Sequence, residues 1–374
     1  MTELDNNDLA IMRAIEDYGP KISSEELSII LNKEGFDMPS RTIRYRIQKL
    51  KKKGYLKPVK MKTHERKLGC GESICLLNVN QKMEAKLLNI FEQIPYIYFY
   101  GSTYGKYNGY LIRSIFSLET PNVIFELLDA MKRVGYISDY YVFELLDYRI
   151  KNKDLTYFNR EQGWMYNWED WYNSINETMR RKQVKLGFNI EPDVEMVDFD
   201  YKDVLLLKHM WEDASITLKE LKEILELSDV QLSEAQISKR IQKLEEKDII
   251  KGYYLDYSLL KSEDFIYFYC FFEAGEFINK ILSCLFKLPY SFPINIETIN
   301  KLCFSIGLSA SDFQKFLKGF DLLRPYLHSY FFQFTYSGIK SSAQYLFDLF
   351  NRKTNSWETP VKDYITLIEE EIGK

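Results

Sequence analysis

The sequence has few of the residues from which metal centres, disulfide scaffolds and membrane spans are built. Its five cysteines form no CxxC pair and its three histidines are far apart, so we expect reduced thiols and no metal site. No run of about 18 apolar residues occurs, and the N-terminus lacks the basic-then-apolar pattern of a signal peptide. We therefore expect a cytoplasmic protein with no membrane partner.

Catalytic motifs are also missing from the sequence. It contains no Gly-rich phosphate loop, no spacing typical of a nucleophile with its base, and no metal-ligand spacing. Glu144 and Asp147 have the pattern of ordinary carboxylates at the end of a strand. The sequence therefore predicts that the chain is not an enzyme and has no catalytic residues and no cofactor.

Apolar and aromatic residues, in contrast, are plentiful. The 374 residues are 46% hydrophobic and 16% aromatic, which suffices for the cores of two or three domains. The net charge of -4 argues against a protein that coats nucleic acid generally, but it allows a local basic surface.

Such a surface is predicted near the N-terminus, where residues 39–61 have the pattern of a helix followed by a short strand. Ile43, Ile47 and Leu50 recur at the spacing of one buried helix face, and Gly54 is a suitable stop. The opposite face carries long hydrogen-bond donors and one aromatic, which are side chains that reach base edges and phosphates in a DNA major groove.

This helical pattern occurs twice. Shifting the sequence by 194 residues places residues 41–50 on residues 235–244, with six identities. The match continues without a gap back to Asn7 and includes the apolar positions of two upstream helices. We therefore predict two winged helix-turn-helix units, each with a recognition helix.

The two copies differ in charge. Residues 39–67 contain twelve Lys or Arg and one acid, whereas residues 233–261 contain six Lys or Arg and five acids. Because phosphate neutralisation supplies most nonspecific DNA affinity, we expect the first copy to dominate binding to duplex DNA. Arg46 flanks the buried face in both copies, so a phosphate contact or an intradomain salt bridge is expected there. The candidate DNA-contacting residues are Arg41, Arg44, Tyr45, Gln48, Lys49 and Lys52 on the first helix, Lys57 and Lys60 on its wing, and Lys239, Gln242 and Lys243 in the second copy.

Two further segments have strands and helices in the order βαββαβ, which is typical of a ferredoxin-like sandwich. An aromatic-rich insertion between the halves is expected to pack on a sheet or between the halves. The predicted organisation is a winged helix at 1–61, a ferredoxin-like domain at 74–147, the insertion at 148–198, a second winged helix at 199–260, a degenerate ferredoxin-like domain at 264–337 and C-terminal helices at 338–374.

This alternation resembles the Lrp/AsnC (feast/famine) family of prokaryotic transcription regulators. One part of the resemblance is the pattern Met38-Pro39-Ser40 followed by Ile43, Arg46, Ile47 and Leu50, which recurs in the second copy. Another is the hairpin Gly105-Lys106-Tyr107-Asn108, which is similar to the family's Gly-x-Tyr-Asp segment. The two copies cover about four-fifths of the chain.

The resemblance implies an α+β fold in which a duplicated regulator forms an internal pseudo-dimer. It also implies a small effector, often an amino acid in this family, bound near Gly105, Tyr107 and Asn108. Asn108 replaces the family's Asp and the second copy lacks the pattern, so at most one such site is expected. Gly105 and Gly109 are equally compatible with a simple tight turn.

These observations predict a sequence-specific, duplex-DNA-binding transcription regulator under small-molecule control, with further self-association. The alternative is a winged-helix protein-interaction or assembly factor that contacts the transcription machinery. The near-neutral second copy motivates this alternative, because a winged-helix fold does not by itself fix the partner.

Overall fold

The computed structural model describes residues 4–159, 161–185, 194–257, 265–340 and 347–371. Within these ranges, every helix is too short or too polar to cross a bilayer.

The chain begins with three helices and a strand that form the first winged-helix unit. Capping side chains start the first two helices: Asp5 accepts a hydrogen bond from the Asp8 amide, and Ser23 and Glu26 form a capping box. The third helix ends before Gly54, whose φ of +76° suits a residue without Cβ. The elements are α1 (Asn6–Tyr18), α2 (Ser24–Lys33), α3 (Ser40–Lys52) and β1 (Leu56–Thr63).

The next segment is a ferredoxin-like unit with two helices on one face of four antiparallel strands. Its strand order is β5-β2-β4-β3, and both helices pack their apolar residues on the same sheet face. The elements are β2 (Cys70–Val79), α4 (Glu84–Gln93), β3 (Ile97–Gly105), β4 (Gly109–Ser117), α5 (Val123–Val134) and β5 (Ile137–Leu145).

The described part of the aromatic insertion contributes three short strands and one helix. These are β6 (Asp147–Lys151), β7 (Phe158–Asn159), β8 (Gly163–Trp164) and α6 (Trp168–Arg180).

The second half repeats both units. Its winged-helix elements are α7 (Tyr201–Glu212), α8 (Leu218–Leu227), α9 (Glu234–Glu246) and β9 (Ile250–Tyr257). Its ferredoxin-like elements are β10 (Phe265–Glu273), α10 (Ile278–Leu285), β11 (Phe292–Thr298), β12 (Lys301–Ser309), α11 (Ala310–Leu323) and β13 (Ser329–Lys340).

The insertion packs against both halves: Leu155 and Phe158 cluster with apolar residues of the first winged-helix unit, whereas α6 packs in the second half. The Trp171 side chain is 1% exposed, and its Nε1 donates to the Cys284 carbonyl at 2.9 Å. A Cβ at Gly319 would lie 2.1 Å from the Trp171 ring, so only glycine allows α11 to approach α6 this closely. The aromatic residues of α6 therefore complete the core of the second unit.

The structure describes one helix of the predicted C-terminal helices at 338–374. Strand β13 continues to Lys340 because it pairs with two neighbouring strands, and a short hairpin then precedes a single described helix. Residues 341–346 and 372–374 of the predicted segment lie outside the described residues. The elements are β14 (Phe350–Asn351), β15 (Ser356–Trp357) and α12 (Val361–Glu370).

The two ferredoxin-like sheets join at both edges. Strand β13 pairs with β10 of its own unit and with β3 of the other unit. Strand β5 pairs with β2, and β6, which follows β5 after Leu146 alone, pairs with β11. The nine-stranded sheet thus returns to its starting strand and forms a closed antiparallel barrel with a near-twofold arrangement.

The two winged-helix units are also joined by a sheet. Strands β1 and β9 pair antiparallel over Leu56–Thr63 and Ile250–Tyr257. This two-stranded sheet lies near the end of the barrel where β2 begins, since β1 and β2 are consecutive strands of the chain. The wings therefore connect the two recognition helices to each other and to the barrel.

One buried side chain forms hydrogen bonds between the two halves where β3 pairs with β13. Gln333 is 0% exposed, and its Nε2 donates to Thr103 Oγ1 at 2.8 Å and to the Tyr107 carbonyl. Its Oε1 accepts a hydrogen bond from the Tyr107 amide at 3.2 Å. Both backbone groups of Tyr107 thus depend on a residue of the other half.

Replacing Gln333 with Leu should destabilise the chain. The substitution leaves the Tyr107 amide and carbonyl without partners, at a cost of about 1–3 kcal/mol for each buried group. We expect the free energy of unfolding, measured with urea, to fall by about 2–5 kcal/mol. The exposed Gln231→Leu is the matched control and should change stability little; equal effects of the two substitutions would contradict this role of Gln333.

Candidate nucleic-acid interface and central cavity

The outward face of α3 presents a row of long side chains to solvent. Tyr45 is 66% exposed, which is high for a ring of this size and shows that no other part of the described chain covers the face. The buried side of the helix, with Ile43 and Leu50, anchors it in the first unit. The exposed candidate DNA contacts on α3 and at the start of the wing are Arg41, Arg44, Tyr45, Gln48, Lys49, Lys52 and Lys57.

Only one of these cations has a described ion-pair partner. Arg44 Nη2 lies 2.9 Å from Glu25, but both side chains are about 60% exposed, so solvent screens the pair. Arg46 differs, because its Nη1 contacts Asp5 at 2.8 Å and Asp8 at 2.7 Å. The intradomain salt bridge expected for Arg46 is therefore confirmed.

The second recognition helix, α9, has the same position in its unit as α3 but a less cationic exposed face. Arg240 contacts Asp200 and Asp203 as Arg46 contacts its own pair of aspartates. Lys239, Gln242 and Lys243 are exposed, as the predicted interface requires. However, Gln242 Nε2 donates to Glu246 at 2.9 Å, so an acid lies on the same face.

Lys60 departs from the other predicted contacts. It is half-buried, and its Nζ donates to the Glu212 carbonyl at 2.7 Å. Because side chains alternate along β1, the Lys60 side chain points towards the second winged-helix unit. Lys60 is therefore not part of the candidate DNA surface.

The predicted effector turn, Gly105–Asn108, lies where β3 of the first half pairs with β13 of the second. Tyr107 is 8% exposed and packs against Tyr141 and Phe331, with ring centroids 6.0 and 6.4 Å away. The Asn108 amide donates to Asn78 Oδ1 at 2.6 Å, and the Gly105 amide donates to Asn108 Oδ1 at 3.3 Å. The protein itself supplies these partners, so ligand binding at this turn stays a prediction.

A cavity of about 670 Å³ lies between the wings and the barrel end where β2 begins. Both winged-helix units, the barrel and the insertion contribute to its wall: β1 and β9 supply Met61 and Tyr254, the barrel supplies Tyr269, and the insertion supplies Trp164. Its volume is within the usual range for sites that bind small molecules. The predicted effector residues Gly105, Tyr107 and Asn108 do not line it.

Three polar groups form a buried network in this cavity. Glu72 accepts hydrogen bonds from the Arg113 guanidinium and from the Tyr98 hydroxyl. Burial raises the pKa of Tyr98 well above its usual value. Although burial opposes the charge of Arg113, the neighbouring Glu72 carboxylate raises its pKa, so the guanidinium stays cationic.

Glu65 lies beside this network in the cavity wall. Burial, together with the nearby Glu72 carboxylate, raises the pKa of Glu65 to about 8. Thr63 Oγ1 donates to Glu65 Oε1 at 2.6 Å but does not reverse the shift. The raised pKa favours the neutral form of the Glu65 carboxyl, and such a shift is a property of carboxyl groups that act as acids in active sites.

Two neighbouring side chains in the wall have unused hydrogen-bonding capacity. Asn295 is 0% exposed and lies beside the buried Cys303 thiol, which is a weak hydrogen-bonding group. Neither its Oδ1 nor its Nδ2 has a hydrogen-bond partner of normal geometry among the described residues. Arg113 Nε is also buried without a partner there. Buried polar atoms are usually paired, so this part of the wall is suited to polar atoms of a ligand.

Comparisons with known proteins agree with the fold. The ribonuclease R winged-helix domain matches residues 9–67. The structure of the siroheme decarboxylase NirDL is similar over 98% of this chain and 99% of that one, with a TM-score of 0.54 and 11% identity. NirDL with an iron-uroporphyrin III analogue covers 94% of this chain and 92% of its own, with a TM-score of 0.52 and 10% identity. No curated protein matches the sequence.

A shorter solved structure is similar to only part of the chain. The structure of AsnC from E. coli covers 39% of this chain and 94% of its own, with 17% identity and a TM-score of 0.30. The full-length likeness to NirDL confirms the alternating, duplicated architecture expected from the sequence.

The expectation that the chain is not an enzyme is overturned. A protein with this architecture over its whole length is a decarboxylase, so neither the fold nor the lack of a familiar motif excludes enzymatic function. Local motifs do not indicate the cavity, because its polar residues come from distant segments of the chain.

Glu65→Gln should change how stability depends on pH. A carboxyl group whose pKa is raised in the folded state favours folding at low pH, and this contribution is lost as pH rises towards about 8. Between pH 6 and pH 8 the wild type should lose about 2 kcal/mol of unfolding free energy relative to Glu65→Gln. Urea unfolding at both pH values measures this difference. The exposed Glu276→Gln should show no such difference, and an identical pH profile for Glu65→Gln and wild type would disprove the protonated carboxyl.

Proposed function

We propose that the chain binds duplex DNA as a transcription regulator, with α3 as its main contact. The exposed cationic face of α3 carries this proposal. Helices of this width fit the major groove, where Arg and Gln side chains contact base edges and Lys side chains contact phosphates. Arg44, Gln48 and Lys52 lie along one side of such a helix and are free of any covering element among the described residues.

The paired wings favour joint action of the two recognition helices. Because β1 and β9 form one sheet, α3 and α9 are held on a common support. Lys239 and Lys243 on α9 then add weaker contacts, since Glu246 opposes the approach of phosphate.

Replacing Arg44 and Lys52 together with Ala should weaken DNA binding at least about tenfold, because each contact contributes about 1 kcal/mol or more. The dependence of log affinity on log salt should fall by about 2, at roughly 0.9 for each lost phosphate contact. Gel-shift titrations at several salt concentrations measure both quantities.

The matched control is the double replacement of Lys239 and Lys243 with Ala on α9. We expect a smaller loss of affinity for it than for the α3 variant. Unchanged DNA binding in the α3 variant would contradict the proposal, and salt-independent retention of a protein partner would favour the alternative of an assembly factor.

As a second candidate function, we propose acid–base enzymatic chemistry in the central cavity. The protonated Glu65 beside the Glu72–Arg113 pair favours it, since a neutral carboxyl can deliver a proton to a bound substrate. Decarboxylation is one reaction class that needs such a proton, because the carbon that loses carbon dioxide must be protonated.

The charges of the cavity differ from those that a polycarboxylated ring would require. Its wall carries four carboxyl groups and three cationic groups, and Arg113 is already paired with Glu72. The cationic groups are Lys60, Arg113 and Lys153, and the carboxyl groups are Glu16, Glu65, Glu72 and Glu212. This balance favours a substrate of low charge over the ligand named for NirDL.

Siroheme is nevertheless the first substrate to test, with release of carbon dioxide as the readout. The charge balance predicts weak turnover or none. Wild-type turnover, however weak, that disappears in Glu65→Gln but persists in Glu276→Gln would support the proton-donating role. Wild-type turnover that persists equally in both variants would contradict it, and no turnover by the wild type would exclude siroheme as the substrate.

A further inference from the structure

We propose that the central cavity binds a planar, uncharged heterocycle with a lactam-type edge, and that Asn295 recognises this edge. The inference rests on the second proposed function, since it names the class of molecule that the cavity would hold. A lactam edge presents a carbonyl acceptor next to an N–H donor, which is the complement of a carboxamide side chain.

The position of Asn295 in its strand provides the main argument. Its neighbours on β11, Ile294 and Ile296, are 0% exposed and pack in the apolar core of the second unit. Because side chains alternate along a strand, Asn295 faces the opposite side, where the cavity lies. The Cys303 thiol beside it is only a weak hydrogen-bonding group, so most of the hydrogen-bonding capacity of the buried amide is unused and its burial costs stability.

The cavity wall is suited to a flat ring. Tyr148, Tyr267 and Tyr269 contribute aromatic faces from two strands, and Trp164 and Trp211 contribute larger ones from the insertion and the second winged helix. Aromatic side chains stack favourably on planar heterocycles. Rings of this kind and a buried carboxamide together select planar molecules that also present polar edge atoms.

The charge of the wall sets a further limit on the ligand. The raised pKa of Glu65 favours its neutral form, and the other three carboxylates of the wall are balanced by its three cationic groups. A neutral ring enters such a site without leaving an unpaired charge behind, whereas a polyanion would not. The unpaired Arg113 Nε offers one additional donor to a carbonyl at the ring edge.

Lumiflavin is a suitable probe, because it is flat, uncharged and fluorescent and carries a lactam-type edge. We expect the full chain to quench lumiflavin fluorescence on binding through contact with the aromatic wall. N3-methyl-lumiflavin lacks the N–H donor and should bind at least about tenfold more weakly, which corresponds to the value of one good two-point contact.

The variants are Asn295→Leu, Asn295→Asp and the exposed control Asn300→Leu. The two Asn295 variants should lose at least about tenfold in lumiflavin affinity, whereas the control should bind as wild type does. Without ligand, Asn295→Leu should unfold at a higher temperature than wild type, because an unpaired amide is removed. If Asn295 instead stabilised the fold, Asn295→Leu would unfold at a lower temperature than wild type.

The results separate this inference from the proposed enzymatic function. Equal lumiflavin affinity in wild type and both Asn295 variants, or no binding by wild type, would overturn the inference. Siroheme turnover without lumiflavin binding would refute it while leaving the enzymatic proposal intact. Lumiflavin binding that depends on Asn295 supports it even if no turnover is found.

Discussion

The hydrogen bonds between β13 and β3 determine how the two halves of this chain are arranged. They join the fourth strand of one ferredoxin-like unit to the second strand of the other, while β6 makes the equivalent connection to β11. The barrel can close only if both connections form. Its end then meets the paired wings β1 and β9, and the space between them is the central cavity. The positions of both recognition helices and the volume of the cavity therefore depend on the same strand pairings.

Much of the fold could be predicted from local patterns. The apolar spacing of Ile43 and Leu50 predicted the recognition helix, and the repeat at 194 residues predicted its second copy. Barrel closure could not be predicted in this way. It depends on β6 and on the extension of β13 to Lys340, whose partners are far away in the sequence and leave no periodic signal.

The cavity could not be predicted for a related reason, although two charged residues in the sequence do indicate a buried ion pair. Glu72 and Arg113 are charged residues within otherwise apolar strands, at positions that alternate with core residues. A charge on the inward face of a strand is costly unless it is paired, so two such charges of opposite sign indicate a buried pair. The alternation identifies each residue separately, but only the fold brings Glu72, Arg113 and Asn295 to one cavity.

Gly307 follows Arg113 by 194 residues and also lines the cavity, where a Cβ would come within 2.5 Å of the Tyr267 ring. In a dimer of identical chains, a twofold axis would place an arginine at both positions and bring two buried cations into one space. In a covalently fused pair the two positions need not carry the same residue, because each half of the chain mutates independently. Such a chain can evolve an asymmetric cavity that binds one ligand in one orientation. A symmetric dimer would bind the same ligand in two equivalent orientations.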